Sequence, residues 1–448
     1  MAKQRKVHRW KDIDLVAAAV LAGLLVLCIV QPQKAQAQTY QVLHYFTDGA
    51  DGREPAAGVT MDQAGNLYGT ASYGGAHYCG GNGCGVVFKM TKLGSAWVLN
   101  TLYNFSGNDG QSPEARVVIG PDGNLYGTTF NGGNAGAACD ELFEGCGVVF
   151  KLNPPPTNCR SSACPWIETV LHHFSGDDGA FPSNEVVFDQ AGSLYGTTQE
   201  GGTNGGCNPY RIFGCGNVFQ LSLVNGVWHE NVLYNFQDTG GDGTQPSSNL
   251  IFDGSGNLYG TTTLGGATGA GTVFQLTPAS PFWNENILYG QFGLPNGEDP
   301  WGGVIFDPAG NLYGTTSYGN YYGDTAGTIF KLTPGNPSWG FDLLYTIPSI
   351  NPQIGGPVAT LTRDAAGNLY GTTRTGGAQG AGQLFKITPD GVFTSLHDFC
   401  LGGFPCTDGA GPESNVIIDS HGNLYGTAAG GGSGCHGDGC GVVWEITP

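Results

Sequence analysis

Charge is what this chain lacks first. Asp, Glu, Lys and Arg make up 12% of its 448 residues, about half the usual share for a globular chain. Only 17 residues are Lys or Arg, against 36 Asp or Glu. A surface with that balance repels phosphates and anionic headgroups, so nucleic-acid and anionic-membrane binding are excluded. Amphipathic helical periodicity is absent throughout. Also missing are G-x-S-x-G, H-E-x-x-H and P-loop motifs; His229-Glu230 has no second histidine four residues on. No C-x2-C pair occurs, which argues against a zinc site. What is abundant is glycine, 78 residues with no Gly-X-Y period, beside 40% apolar and 11% aromatic residues. That excludes collagen and disordered linkers and points to an ordered, turn-rich, all-β protein.

Residues 1–37 read as a signal peptide. Lys3, Arg5, Lys6, Arg9 and Lys11 precede the uncharged run Leu15–Val30, and Ala35-Gln36-Ala37 supplies an A-x-A cleavage site. The run has 16 residues, below the roughly 20 that span a bilayer, so cleavage is expected over the alternative of an N-terminal membrane anchor carrying an exported domain. Cleavage leaves 11 Lys and Arg against 34 Asp and Glu, a formal −23. The expected location is secreted or periplasmic, with no membrane contact after cleavage. Cys28 leaves with the leader. Twelve cysteines remain as six close pairs: Cys79/Cys84, Cys139/Cys146, Cys159/Cys164, Cys207/Cys215, Cys400/Cys406 and Cys435/Cys440. In an exported chain these read as disulfides. The competing zinc reading finds only His77 and His436 near them.

A repeat organises the rest. Gly65-Asn66-Leu67-Tyr68-Gly69-Thr70 recurs with tyrosines at 126, 195, 259, 313, 370 and 425, spaced 54 to 69 residues apart. Such periods mean propellers or arrays. Within one unit, Asn249–Asp253 reads as a strand and Asp253–Gly256 as a tight turn. Asn257–Thr262 reads as a second strand, Gly271–Pro278 as a third and Trp283–Phe292 as a fourth. Four antiparallel strands, A to D from the inside out, make one propeller blade. Tyr40–Phe46 is a D-type strand without a unit, and Gly441–Pro448 is a C-type strand lacking its D partner. Pairing them would close a seven-bladed ring over 38–448 and hide two sheet edges.

These units resemble the bacterial Gloeobacter/Verrucomicrobia (GloVer) tandem repeat of choice-of-anchor proteins. The resemblance is carried by G-N-L-Y-G-T-T, by G-V-V-F-K-L-T-P, and by the L-Y-N-F runs at Leu102–Phe105 and Leu233–Phe236. It covers 39–448 and implies export and repeat architecture, with no reaction attached. Some members carry a C-terminal anchor. This chain ends at Pro448 inside a repeat, so tethering by that route is not expected. The D-x-x-G-N-L-Y element is also similar, at fold level, to two-component-sensor propellers.

In this strand order the B–C and D–A loops share one face around a central channel. Tyr73, His77, Tyr78, Phe130, Tyr318, Tyr321, Tyr322 and Trp301 are expected there, with Glu298 and Asp299 beside Trp301. Aromatic faces next to carboxylates suit sugar rings. Arg53, Arg116, Arg211, Arg363 and Arg374 are candidate neighbours. Trp97, Trp166, Trp228, Trp283 and Trp339 recur in register, as do the seven repeat tyrosines, and are expected to pack between strands. In His172-His173 one ring is expected to pack and the other to face solvent. The D–A loops carry Asp48/Asp51, Asp109, Asp177/Asp178, Asp238/Asp242 and Asp408; turn formation explains them, and Ca²⁺ is the alternative, although no D-x-D-x-D-G spacing occurs. No cofactor is expected. The resulting reading is a secreted, monomeric, non-catalytic propeller that binds a polysaccharide or a cell-surface partner through its B–C/D–A face. The alternatives are a carbohydrate-active lyase or glycosidase and, third, a structural envelope protein.

Overall fold

The computed structural model describes residues 38–133, 139, 145–155, 165–203, 207, 214–319, 325–348, 356–433, 435 and 439–447. Residues 1–37, expected to be a signal peptide, and Cys159, Cys164, Arg211, Tyr321, Tyr322 and His436 lie outside the described residues. Seven four-stranded antiparallel sheets form a seven-bladed β-propeller, with no helix among the described residues. Blade 1 runs through Val59–Met61, Leu67–Ala71, Val86–Leu93 and Ala96–Asn104. Blades 2 to 6 cover 118–173, 187–235, 251–289, 305–348 and 362–398. Blade 7 takes Ile417–Ile418, Leu424–Ala428 and Val442–Thr447 from the C-terminus and Thr39–Tyr45 from the N-terminus.

Each letter of the repeat has a mechanical role, seen in blade 4. Asp253 Oδ1 accepts from the Ser255 and Asn257 amides at 2.8 and 2.9 Å, and its Oδ2 accepts from Asn257 Nδ2 at 2.7 Å and the Tyr259 hydroxyl at 3.0 Å. One carboxylate thus fixes both the A–B turn and the tyrosine above it. Leu258 is buried in the core. Gly260 lies opposite Phe274 on strand C, where a Cβ would sit 2.7 Å from the ring; only glycine leaves room for the phenylalanine. Thr261 donates to the Gly302 carbonyl of blade 5 at 3.1 Å. Thr70, Thr128, Thr197 and Thr372 make the same bond to their next blades. The repeated tryptophans pack between blades, as expected: Trp166, Trp283 and Trp97 meet Tyr68, Tyr195 and Tyr425 of the preceding blade at 6.2–6.4 Å.

The expected closure is present. The Phe46 amide donates to the Gly441 carbonyl at 3.1 Å. Tyr40 stacks on His397 of blade 6 at 3.8 Å, and its hydroxyl donates to the Asp408 carbonyl. Strand lengths differ from the sequence reading. Strand A of blade 4 is only Ile251–Phe252, and strand D is Asn284–Tyr289. The chain is already turning into the channel before Ile251 and into the aspartate turn after Phe252.

The acidic D–A loops are clasps. Asp51, Asp178 and Asp408 bond His44, His172 and His397 of the preceding D strand at 3.0–3.1 Å, and Asp109 and Asp242 bond Tyr103 and Tyr234. Asp109, Asp178 and Asp408 also cap a loop amide. His172 is therefore not a solvent-facing ring, and His173 is half-buried as well: the strand edge lies between blades, and both faces are covered. Four residues before each clasp residue on strand D, the next blade supplies a cover. Blades 2, 3 and 4 supply Glu168, Glu230 and Glu285. Blades 5 and 6 supply Phe341 and Phe393, which stack on Tyr289 and Tyr345 at 4.4 and 4.2 Å, and the N-terminal strand supplies Tyr40 over His397.

Candidate functional site

The D–A loops build the channel wall by one repeated device. A proline precedes strand A in every blade: Pro55, Pro113, Pro182, Pro246, Pro300, Pro357 and Pro412. The residue before it has φ of 54–61° in six blades: Glu54, Ser112, Phe181, Gln245, Asp299 and Gly411. Five of these are not glycine, a left-handed conformation that side chains adopt at a cost. The strain is offset by an inter-blade bond. The amides of Glu54, Ser112, Phe181 and Gln245 donate to the carbonyls of Cys440, Cys84, Cys146 and Cys215 at 2.9–3.1 Å. Each of those cysteines closes a B–C loop disulfide. The disulfides therefore hold the carbonyls on which the next blade's turn hangs. The next residue of the loop is glycine because the incoming proline lies on it: a Cβ on Gly85, at φ +90°, would stand 2.4 Å from Pro113 Cδ.

The residue after each proline points into the channel, giving a ring of Ala56, Glu114, Ser183, Ser247, Trp301, Val358 and Glu413, all lining one cavity of about 760 Å³. Tyr73 and Tyr318, from B–C loops, complete the wall with Arg116, Glu185 and Arg374. Of the residues singled out from sequence, Trp301, Tyr73 and Tyr318 meet in this cavity. Trp301 is 38% exposed, so it is not a core residue. Glu298 and Asp299 do not line it. Glu298 bridges Tyr318 through backbone bonds in both directions, and Asp299 spends its amide on the Ala270 carbonyl. Burial, then the Glu298 charge, pushes Asp299 up to about 6. Phe130 stacks on Phe181 at 5.0 Å and packs against the core, so it is not a rim residue. His77 and Tyr78 are exposed but stand outside the cavity.

Two features of the site were not read from the sequence. Glu114 and Glu413 occupy the same post-proline column as Trp301, and reading down that column would have found them. Phe404 is the other. In most D–A loops the clasp residue follows the strand-end phenylalanine by four to six positions, but Asp408 follows Phe399 by nine. The Cys400–Cys406 disulfide ties off this insertion, and Phe404, 70% exposed, borders the cavity mouth.

The charges pair unevenly. Arg116 Nε lies 2.6 Å from Glu185 Oε2, and Asn249 Nδ2 donates to Glu185 Oε1 at 2.9 Å. Arg374 Nε lies 2.9 Å from Glu413 Oε1. Arg53 Nε is 3.3 Å from Glu54 Oε1, and its guanidinium sits 5.2 Å from the Tyr73 ring centroid. Among the described residues nothing bonds the Glu114 carboxylate. Burial, then the charges of Glu413 and Glu54, pushes Glu114 up to about 7. Burial and the Glu114 and Glu54 charges raise Tyr73 as well, against the opposing Arg53. Arg363 lies apart, in a groove with Arg116, Asp364 and Ile417.

Among the described residues five disulfides are formed, which fits an extracellular or periplasmic protein. No helix among the described residues is long and apolar enough to cross a membrane. A family model of the Gloeobacter/Verrucomicrobia repeat matches residues 29–163, 136–352 and 324–448. No curated protein matches. Among solved structures, a Dyadobacter fermentans protein of unknown function aligns at 10% identity over 92% of this chain and 100% of its own, with a TM-score of 0.46. A candidate 6-phosphogluconolactonase of Bacteroides uniformis aligns at 13% over 81% and 95%, TM-score 0.46. A candidate oxidoreductase (glucose dehydrogenase) of Thermus thermophilus aligns at 16% over 92% and 100%, TM-score 0.40. At these scores none bears on what this chain does.

Proposed function

The chain belongs to the Gloeobacter/Verrucomicrobia repeat family, an assignment that brings a repeat architecture and no reaction, and on that footing we propose that it is an exported binding protein whose channel mouth takes a carbohydrate. The carrying observation is the convergence of Trp301, Tyr73, Tyr318 and Phe404 with carboxylates and arginines on one open cavity. Apolar ring faces stack on aromatic side chains while hydroxyls meet charged acceptors and donors. The disulfide-held B–C loops and the tied Phe404 loop pre-order this rim, which lowers the entropy cost of binding. Export through cleavage of segment 1–37 belongs to the same reading.

A second reading is supported by one observation. Glu114, raised to about 7 by burial and then by the charges of Glu413 and Glu54, has the character of a general acid, and Glu413, paired with Arg374, supplies the second carboxyl that a glycosidase needs. A glycan array read together with reducing-sugar release on the same protein decides between them. Retention without release supports binding. Release that is lost in Glu114→Gln makes the protein an enzyme, and neither retention nor release overturns both readings.

A further inference from the structure

Among the charged groups that line the channel, each arginine is already committed to a carboxylate: Arg116 to Glu185 and Arg374 to Glu413, with Arg53 behind the wall on Glu54. One carboxylate is left over, that of Glu114. It projects into the cavity from the post-proline position of blade 2 and makes no hydrogen bond or ion pair among the described residues. Glu54 and Glu413 flank it closely enough to act on its ionisation, and the Tyr73 ring is also in electrostatic contact with it. An acceptor with no protein donor, set in a concave site beside aromatic faces, suits a cationic group of a ligand. The two cations nearby cannot supply the charge, because Arg374 and Arg53 are spent on their own partners. A metal ion is not favoured: among the described residues the channel glutamates do not form a cluster with ligand spacing, and the group that does is His172, Asp178 and Glu230 at the outer seam.

Resting on the reading of the channel as a carbohydrate site, we infer that its ligand carries a basic amine, whose ammonium donates to Glu114 between Glu54 and Glu413 while the sugar ring lies against the aromatic rim. Burial raises Glu114 first and the Glu413 and Glu54 charges add to it; an ammonium would oppose both and draw it back toward the ionised form. The groups that face it are Glu413, Glu54, Tyr73, Arg374 and Arg53, and of these only the arginines oppose a cation.

The test is calorimetry at pH 6.5 with the tetramer of β-linked glucosamine and its N-acetylated counterpart of equal length. The amine tetramer is expected to bind roughly tenfold tighter or better, the effect of a charge-assisted hydrogen bond. Glu114→Gln, checked for an unchanged melting temperature, is expected to remove the preference, so that the two tetramers bind alike. Raising salt should shrink the preference in the wild type while the neutral affinity holds, a readout that needs no variant. Equal or tighter binding of the acetylated tetramer, or a preference that survives Glu114→Gln, overturns the inference and spares the carbohydrate reading. No binding of either tetramer overturns both, unless spermidine binds in a Glu114-dependent way, which keeps the ammonium site and removes the sugar.

Discussion

Glu285 of blade 4 and Asp242 of the loop leaving blade 3 meet at a single hydroxyl: Tyr234 Oη lies 2.9 Å from Asp242 Oδ2 and 3.1 Å from Glu285 Oε2. One hydroxyl proton cannot serve two carboxylates, so the arrangement requires a second proton on the pair. Burial, then the Asp242 charge, drives Glu285 up accordingly. At the seams between blades 1 and 2 and between blades 2 and 3 a glutamate likewise stands near the clasp aspartate, beside a Tyr103–Asp109 and a His172–Asp178 bond. Glu168 is pushed up to about 7 by burial, then Asp109. Glu230 reaches about 7 through burial, with His172 opposing and Asp178 adding. The two aromatic seams at Tyr289/Phe341 and Tyr345/Phe393 carry no such pair.

Stability is therefore expected to fall as pH rises. A carboxyl raised above its unfolded value of 4.5 keeps more protons folded than unfolded, so its contribution is full below that value and is lost as pH climbs through the folded pKa. The window here is pH 4.5 to about 7. After discounting for solvent screening, roughly 1 kcal/mol per pair is at stake. Melting temperatures at pH 5, 6, 7 and 8 should decline, and the triple variant Glu168→Gln, Glu230→Gln, Glu285→Gln should flatten the decline. A profile that rises from pH 5 to 8 would refute the shared-proton account.

The turn aspartates act in the opposite direction. At Asp62, Asp253, Asp307, Asp364 and Asp419 burial raises the pKa, but hydrogen bonds from the asparagine, its amide and the tyrosine outweigh it and hold each carboxyl below 3.8. Their stabilisation is present above pH 3.8 and lost as pH falls through the lowered values. Together with the seam pairs, this places the expected stability maximum between pH 3.8 and 4.5, which acid titration followed by circular dichroism would locate.

Ring closure should be sensitive to Tyr40, which joins blades 6 and 7 by stacking and a hydrogen bond. Tyr40→Ala is expected to cost about 2 kcal/mol, toward the lower end for loss of a large aromatic because the side chain is only half-buried. Deletion of residues 38–47 should cost far more and expose an unpaired sheet edge. A deletion variant that stays monomeric with an unchanged melting temperature would contradict the closure.

Thiol titration of the unfolded, unreduced protein should find none of the ten cysteines of the five formed disulfides free. These bridges close loops of five to eight residues, for which chain entropy supplies on the order of 2–3 kcal/mol each at most. Because four of them hold the carbonyls under the channel turns, reduction is expected to weaken binding at the mouth more than it lowers the melting temperature. Unchanged binding after complete reduction would show that the rim needs no staples.

Trp301→Ala and Phe404→Ala should leave the fold intact, since exposed positions usually shift stability by less than about 0.5 kcal/mol. Each should weaken carbohydrate binding by roughly 1–3 kcal/mol if the rim is the platform. Wild-type affinity in both variants would remove the rim from the site, and unfolding of Trp301→Ala would make that residue core after all.

The contrast between these residues also separates what could be read along the chain from what could not. The period of the tyrosines, the Asp253-to-Tyr259 turn, the cysteine pairs and the strand left over at each end are local or repeated, so spacing alone determined them. Trp301 was legible for a related reason: it breaks a column that is otherwise small or polar in its immediate neighbours. Glu114 and Glu413 stand in the same column, yet they became a site only when the ring closed, because each blade contributes one residue and the interacting charges of Glu54, Glu114 and Glu413 come from blades 1, 2 and 7. Phe130 shows the reverse, a side chain that looked free in its loop and is covered by Phe181 from the loop entering the next blade. Closing the propeller turns seven similar stretches into one wall, and inside that wall, which no single repeat contains, Arg116 and Arg374 pair with Glu185 and Glu413 while Glu114 is left without a partner among the described residues.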